Sequence, residues 1–256
     1  MKKTIISTLI LSALSATAHA GAFVEASAES AGKQGEANNT IIVGYDFDKI
    51  GSSIALEYNK KRDFDLTAKH NIQITDNFSL VPELGYVWKT KHGNTKDFDI
   101  EIMPGGSEYA YSGTAKQVNS DVIRAGLEAA YSFDNGIFTS ARYRLETGSA
   151  TVVEGVRDRG DASATLFNES KRSTIGRTDL TVGYSFDGVV TLTGKAIHKT
   201  QIGTMKDVTG SDSATDYEAK ATVACLGPLA PYLQIANKDM RDSRDTTFKL
   251  GAKYSF

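Results

Sequence analysis

One local pattern runs from near the start of the chain to its last residue: apolar and polar positions alternate strictly, and aromatic residues close the runs. Residues 247 to 256 set Phe248, Leu250, Ala252, Tyr254 and Phe256 on one face. Thr247, Lys249, Gly251, Lys253 and Ser255 take the other. A period of two is the period of a strand. "DVIRAGLEAAYSF" repeats it with Ile123, Ala125, Leu127, Ala129, Tyr131 and Phe133. "TDLTVGYSF" and "TIIVGYDF" do the same, the first with Leu180, Val182, Tyr184 and Phe186, the second with Ile41, Val43, Tyr45 and Phe47. The internal copies run into short turn signals, "DKIG", "DNG" or "DG". Aromatic residues at strand ends, beside tight turns, are what a membrane-interface girdle requires.

Twelve segments read as strands: 22–29, 40–47, 52–61, 64–74, 78–89, 120–133, 136–148, 174–186, 189–200, 216–226, 229–238 and 246–256. Several have the length of about nine to eleven residues with which a tilted strand crosses a bilayer, and the number is even. Connections alternate. Segments 48–51, 75–77, 134–135, 187–188 and 227–228 are short, and 62–63 is a short exception. Segments 30–39, 90–119, 149–173, 201–215 and 239–245 read as longer polar loops. The expectation is an all-β fold: a transmembrane antiparallel β-barrel of twelve strands with both termini periplasmic. A soluble sandwich would also alternate. It does not explain apolar faces that turn aromatic at their ends, opposite faces rich in long charged side chains. Hydrocarbon allows no open sheet edge, so the last strand closes on the first, with Phe256 at the interface.

The opening "MKKTIISTLILSALSATAHA" has a basic start, a short apolar run and a small-x-small ending, and reads as a cleaved secretory leader over 1–20. Residues 21–256 form a single barrel domain, to be placed in the cell outer membrane. Two of the 29 basic residues lie in the leader, which leaves 27 against 31 acidic ones, a net charge of −4. No apolar run is long enough for a membrane helix. Cys225 is the one cysteine, so no internal disulfide forms, and it is expected to face lipid. His70, His92 and His198 lack metal-ligand spacing. No cofactor is expected. No phosphate-binding glycine motif and no basic nucleic-acid patch appear. A barrel phospholipase needs a serine and a histidine at the rim. His198 falls on the outward face of its strand, and no constellation follows, so the chain is not read as an enzyme.

With the apolar face outward, the inward face carries Arg124, Glu128, Arg142, Arg144, Glu146, Arg177, Asp179, Lys195, Lys199, Glu218, Lys220, Lys238, Lys249 and Lys253 in the second half. The first half adds Glu25, Asp46, Glu57, Asp65, Lys69, Glu83 and Lys89. A dry core cannot hold so many charges, because each unpaired burial costs about several kcal/mol. A water-filled lumen removes most of that cost, and charges of both signs could set a transverse field. In "ARYRLE", Arg142, Arg144 and Glu146 share one face. Stacked guanidinium groups can pass a carboxylate from one to the next, and Lys195, Lys199, Lys249 and Lys253 could continue the track. The other reading is that Arg142 and Arg144 pair with Glu128 or Glu146 and brace the wall. Replacing both with Ser is expected to lower anion preference and leave folding largely intact. The glycines and tyrosines of "MPGGSEYAYSG" in 90–119, Gly105, Gly106, Tyr109 and Tyr111, suit an inward constriction, a sugar contact or a plain surface loop.

At "ARYRLETG", at "PYLQIANKDMRDSRDTTFKLGAKYSF" and in strand order, the chain resembles the oligogalacturonate-specific porin family of Gram-negative bacteria, with its related sialic-acid-inducible porins. The resemblance implies a narrow monomeric barrel that admits acidic oligosaccharides or small anions along inward basic residues. By position these are Arg142 and Arg144, with Arg124, Arg177, Lys195, Lys220, Lys249 and Lys253 as looser matches. Two departures stand out: long connections after strands five and seven, and lysine at several inward positions. Lysine is a point charge without the planar fork. Such a barrel implies outer-membrane lipid and lipopolysaccharide around it, and the barrel assembly machinery for its insertion. The alternative is a plugged structural or surface-binding barrel without transport.

Overall fold

The alternating segments close on themselves. The computed structural model describes residues 21–30, 32, 37–59, 63–89, 95–102, 109–119, 121–158, 164–203, 213–224, 226–239 and 243–256. The leader 1–20, Gly105, Gly106 and Cys225 lie outside the described residues. The strands are β1 (Ala22–Glu29), β2 (Asn38–Phe47), β3 (Ser52–Asn59), β4 (Phe64–His70), β5 (Ile72–Gln73), β6 (Phe78–Trp88), β7 (Thr95–Ile102) and β8 (Tyr109–Asn119). Then follow β9 (Val122–Ser132), β10 (Ile137–Asp158), β11 (Ala164–Phe186), β12 (Val190–Gln201), β13 (Ser213–Val223), β14 (Leu229–Asp239) and β15 (Arg244–Ser255). All pairings are antiparallel. The closed cycle is β1-β2-β3-β4-β6-β9-β10-β11-β12-β13-β14-β15 and back to β1, twelve strands. β5 continues β4 past Asn71 and pairs with β6. At the seam Phe23 faces Ser255, and the Phe256 amide donates to the Ala22 carbonyl at 2.9 Å. A chain end that would otherwise fray is held by the first strand.

Burial is inverted relative to a water-soluble core. Leu84 is 66% exposed, whereas its neighbour Glu83 is 3% exposed; Leu180 is 55% exposed and Asp179 only 2%. Adjacent residues point to opposite faces of a strand, so the apolar set covers the outside and the charged set lines the inside. Ring pairs sit at strand ends, most of them two residues apart and Tyr58–Phe64 across a ladder. At the rim of short turns these are Tyr45–Phe47, Tyr131–Phe133, Tyr184–Phe186 and Tyr254–Phe256, with centroids 4.5 to 4.9 Å apart. At the opposite rim stand Tyr58–Phe64 and Tyr86–Trp88. Along β6, from Phe78 to Trp88, the wall between the two rims is about 25 Å tall at ordinary rise and tilt, the height of an apolar membrane band.

Turn chemistry fixes the register. In the Asp-Gly turn after β11, Asp187 and Gly188 both take positive φ, 48° and 72°, and the Val189 amide closes on the Phe186 carbonyl at 2.8 Å. Two left-handed central residues match the twist of a hairpin.

Two of the connections read as long loops are strands. β10 and β11 run on as a pair beyond residue 148, from Gly148↔Ser173 to Val156↔Ala164. β8 pairs with the same stretch of β10, Ala150↔Asn119 to Asp158↔Tyr111, and β7 pairs with β8. β8 therefore prolongs β9 along one partner, with a one-residue slip at 120–121. Four strands rise above the loop rim on one side of the barrel. Alternation in "TVVEGV" and "ATLFNES", with β-branched and aromatic residues, supports strands there. Their charge makes the same segments look like loops. The backbone of 95–102 and 109–119 is engaged in ladders that extend the wall, so these strands do not fold inward as a constriction.

Candidate functional site: the charged lumen wall

β10 presents Arg142 and Arg144 inward, and their partners come from strands on both sides. Arg142 donates to Glu83 at 2.9 Å and to Asp179 through Nε at 3.1 Å, with a further Nη2 contact to Asp179. Arg144 donates to Glu83 at 2.9 Å and to Glu146 at 2.5 Å. Lys69 lies 3.5 Å from Glu83. Asp179 also takes the Arg177 Nε at 2.7 Å and has Lys195 at 3.6 Å. Glu83 on β6 and Asp179 on β11 are thus the two hubs of one network spread from β4 to β12. Arg124 on β9 donates to Asp65 on β4 at 2.5 Å. Glu146 is a partner of Arg144 as the bracing reading has it. Glu128 forms no ion pair among the described residues, although it stands opposite Arg142 in the ladder.

The lysines stand differently. Lys220 lies 3.8 Å above the ring of Tyr232, and Lys253 lies 3.8 Å above Phe23 and 3.5 Å from Asp46. Lys199 pairs with Asp216 at 2.8 Å, and Lys238 pairs with Glu29. Lys249 forms no ion pair among the described residues. All eight basic residues expected to line the pore are on inward positions, but the four arginines are tied to carboxylates whereas Lys220 and Lys249 are not. The signs are also unevenly spread, although Glu128, Glu146, Asp179, Asp216 and Glu218 stand among the basic residues of β9 to β13. β1 to β4 bring Glu25, Glu29, Asp46, Glu57 and Asp65 against Lys69, while the basic residues gather on β9 to β15. A lumen so divided carries a field across it.

A second set of inward residues escapes a search for charge. Phe23, Phe138 and Tyr232 stand directly opposite Gly44, Gly183 and Gly251 in the ladders. A Cβ built on any of these glycines would lie 2.1 to 2.4 Å from the facing ring. The outer end of each ring occupies the space above a glycine. The signal was in the sequence: in "GYDF" and "GYSF" the tyrosine and phenylalanine face out, so the glycine faces in and leaves room for a neighbour's ring. Tyr232 also donates its hydroxyl to Glu25 at 2.6 Å across β15.

His198 is exposed on the outer face. Its two ring nitrogens are within 2.9 Å of the Thr215 hydroxyl and 3.1 Å of the Thr200 hydroxyl. It is not set beside a serine nucleophile.

Closure, inverted burial and paired aromatic rims define a twelve-stranded β-barrel of the outer-membrane type with a polar, charged lumen. No family model matches the sequence, and no curated protein matches it. Solved structures do. The NanC porin aligns over 92% of this chain and 100% of its own, with 11% identity and a TM-score of 0.63. The KdgM porin aligns over 91% of this chain and 99% of its own, with 14% identity and a TM-score of 0.55; it has also been solved in complex with disordered oligogalacturonate. The translocator domain of the autotransporter NalP from Neisseria meningitidis aligns over 100% of this chain and 96% of its own, at 9% identity and a TM-score of 0.54. The chain shares the barrel fold of these outer-membrane proteins. Porins and a translocator domain share it alike, so the lumen has to argue the function.

Proposed function

We propose that the protein is a passive outer-membrane channel for small hydrophilic solutes, with acidic oligosaccharides as the favoured class. In this reading residues 1–20 are a leader, the short-turn rim and both termini face the periplasm, and the raised β7–β8 and β10–β11 hairpins stand outside the cell. The observation that carries the proposal is the charged inner wall, with Lys195, Lys220 and Lys249 half-exposed along β12, β13 and β15. Charges of this number are tolerated where water reaches them. Among the described residues, every segment is a wall strand or a connection between strands. The KdgM porin complex with oligogalacturonate lends the acidic-sugar assignment its analogy. The arginines give this reading rigidity, and the lysines give it the contact with solute.

The test is single-channel conductance of refolded protein in a planar bilayer, with reversal potential under a salt gradient and oligogalacturonate titrated in. Steady conductance and block by the acidic sugar, not by a neutral one, are expected. A folded, silent barrel would replace this reading by the plugged structural barrel.

A further inference from the structure

The charges a passing solute meets are those not already neutralised by a neighbour. Among the described residues Lys220 and Lys249 form no ion pair; Lys220 lies over the Tyr232 ring. On the acidic side, Glu57 has no cation in contact among the described residues either. Its ladder partner is Asp65, a second carboxylate, and the Asp65 charge is taken by an arginine. The charges acting on Glu57 include the carboxylates of Asp65 and Glu25 and the cations Lys249 and Arg124. Glu25 stands two strands away, on β1 at the seam, in the same ladder row through Ile42, with the Tyr232 hydroxyl on it at 2.6 Å. Glu57, Lys220 and Lys249 are all half-exposed to the lumen.

These groups form one stretch of wall with two signs. Lys249 on β15 stands three strands from Glu57 on β3 and four residues away along them, opposite Glu29 where Lys253 is opposite Glu25, and the curvature of the wall and two long side chains bring their charges within range of each other. We infer that Glu57, set against Lys220 and Lys249, favours acidic sugars that also carry an ammonium group over purely anionic ones. A carboxylate gains at the lysines whichever solute brings it. A solute with no positive group then meets Glu57 and Glu25 as like charges. A solute with an ammonium group turns that repulsion into attraction, and the divided wall orients it. The inference rests on the channel reading above and narrows its substrate class.

Two probes of nearly equal size separate the cases: gluconate, and glucosaminate, in which one hydroxyl is replaced by an ammonium group. Liposomes holding the refolded protein are swollen in each at neutral pH. Glucosaminate is expected to enter about threefold faster, the effect of one unit charge about 6 Å away in water. In Glu57→Gln the ratio is expected to fall to about one, with gluconate entry faster than in the parent. Glu57 has no ion-pair partner to strand, and Lys249→Gln, which slows gluconate, serves as a second variant. Equal rates in the parent protein, or a ratio unchanged in Glu57→Gln, overturn the inference and leave the channel standing. No entry of either probe into liposomes that hold folded barrel overturns the channel reading, and the inference with it.

Discussion

The guanidinium of Arg142 reaches past the whole of β9 to bind the carboxylate of Glu83, 2.9 Å away on β6. Glu83 also serves Arg144 and Lys69, and its side chain is 2% exposed. Three cations therefore depend on one carboxylate that water scarcely reaches. Removing one member of a buried charge pair costs far more than the pair itself contributes.

Glu83→Ala is accordingly expected to destabilise the barrel by about 3–5 kcal/mol. The readout is the urea concentration at which the folded, heat-modifiable gel band is lost. The same logic revises the expectation that Arg142 and Arg144 can be exchanged for Ser without harm. That double substitution leaves Glu83 with Lys69 alone and takes one of three cations from Asp179, so it lowers the urea midpoint as well. A midpoint unchanged in either variant would show that water reaches the hubs freely.

The channel reading assigns selectivity to the lysines instead. Lys220→Gln with Lys249→Gln removes two charges that no carboxylate holds among the described residues. The unfolding free energy read from the urea transition is expected to change by no more than about 0.5 kcal/mol, as for surface positions. The anion-to-cation permeability ratio, read from reversal potential, is expected to fall about threefold or more. If the arginines carried selectivity, the ratio would stay where it is.

How much of this could be read without coordinates follows from what alternation encodes. It fixed the inward or outward side of Arg142, Lys249, Leu180 and Tyr254, because a strand has a period of two and the membrane leaves no other side for Leu. It marked ten of the twelve wall strands to within a few residues, and it missed how far β10 and β11 continue, since polar strands outside a membrane look like loops. It could not pair Arg142 with Glu83, which lie 59 positions apart and meet only after β9 has been inserted between them. Nor could it decide which cations stay unpaired, because that depends on side-chain reach across several strands.

Asp121 ties the raised hairpin to the wall. It sits at the slip between β8 and β9, accepts the Tyr86 hydroxyl at 2.8 Å and the Lys89 amide at 2.8 Å, and so pins the end of β6. Lys89 in turn reaches Asp63 at 2.7 Å. Asp121→Ala leaves two donors without this acceptor, a local cost of about 1–3 kcal/mol. Amide exchange near 86–89 and at the start of β9 is expected to rise, with the heat-modifiable band retained. Unchanged exchange would mean that the ladders alone hold the junction.

Replacing residues 95–119 with a short Gly-Ser turn tests whether that hairpin belongs to the wall. The twelve-strand cycle closes without β7 and β8, so the barrel is expected to fold. Conductance is expected to stay within about twofold of the parent, since channel size is set by the strand cycle. A several-fold rise in conductance would place the hairpin in the pore.

Gly251 is where the closing seam is tightest. A Cβ there would lie 2.4 Å from Tyr232 Cζ and 2.8 Å from the Ser27 Cβ, with β14 on one side and β1 on the other. Any side chain at 251 must push the Tyr232 ring off the strand, and with it the hydroxyl that reaches Glu25 over β15. Gly251→Val is therefore expected to cost about 1–3 kcal/mol, the usual penalty for overpacking. Tyr232→Ala alone loses the ring and its hydrogen bond. Combined with Gly251→Val it should cost less than the two single changes added together, because the valine then fills space the ring has left. The three urea midpoints decide it. Strict additivity would show that the ring does not rest on Gly251, and that the last strand is held at the seam by its backbone ladder alone.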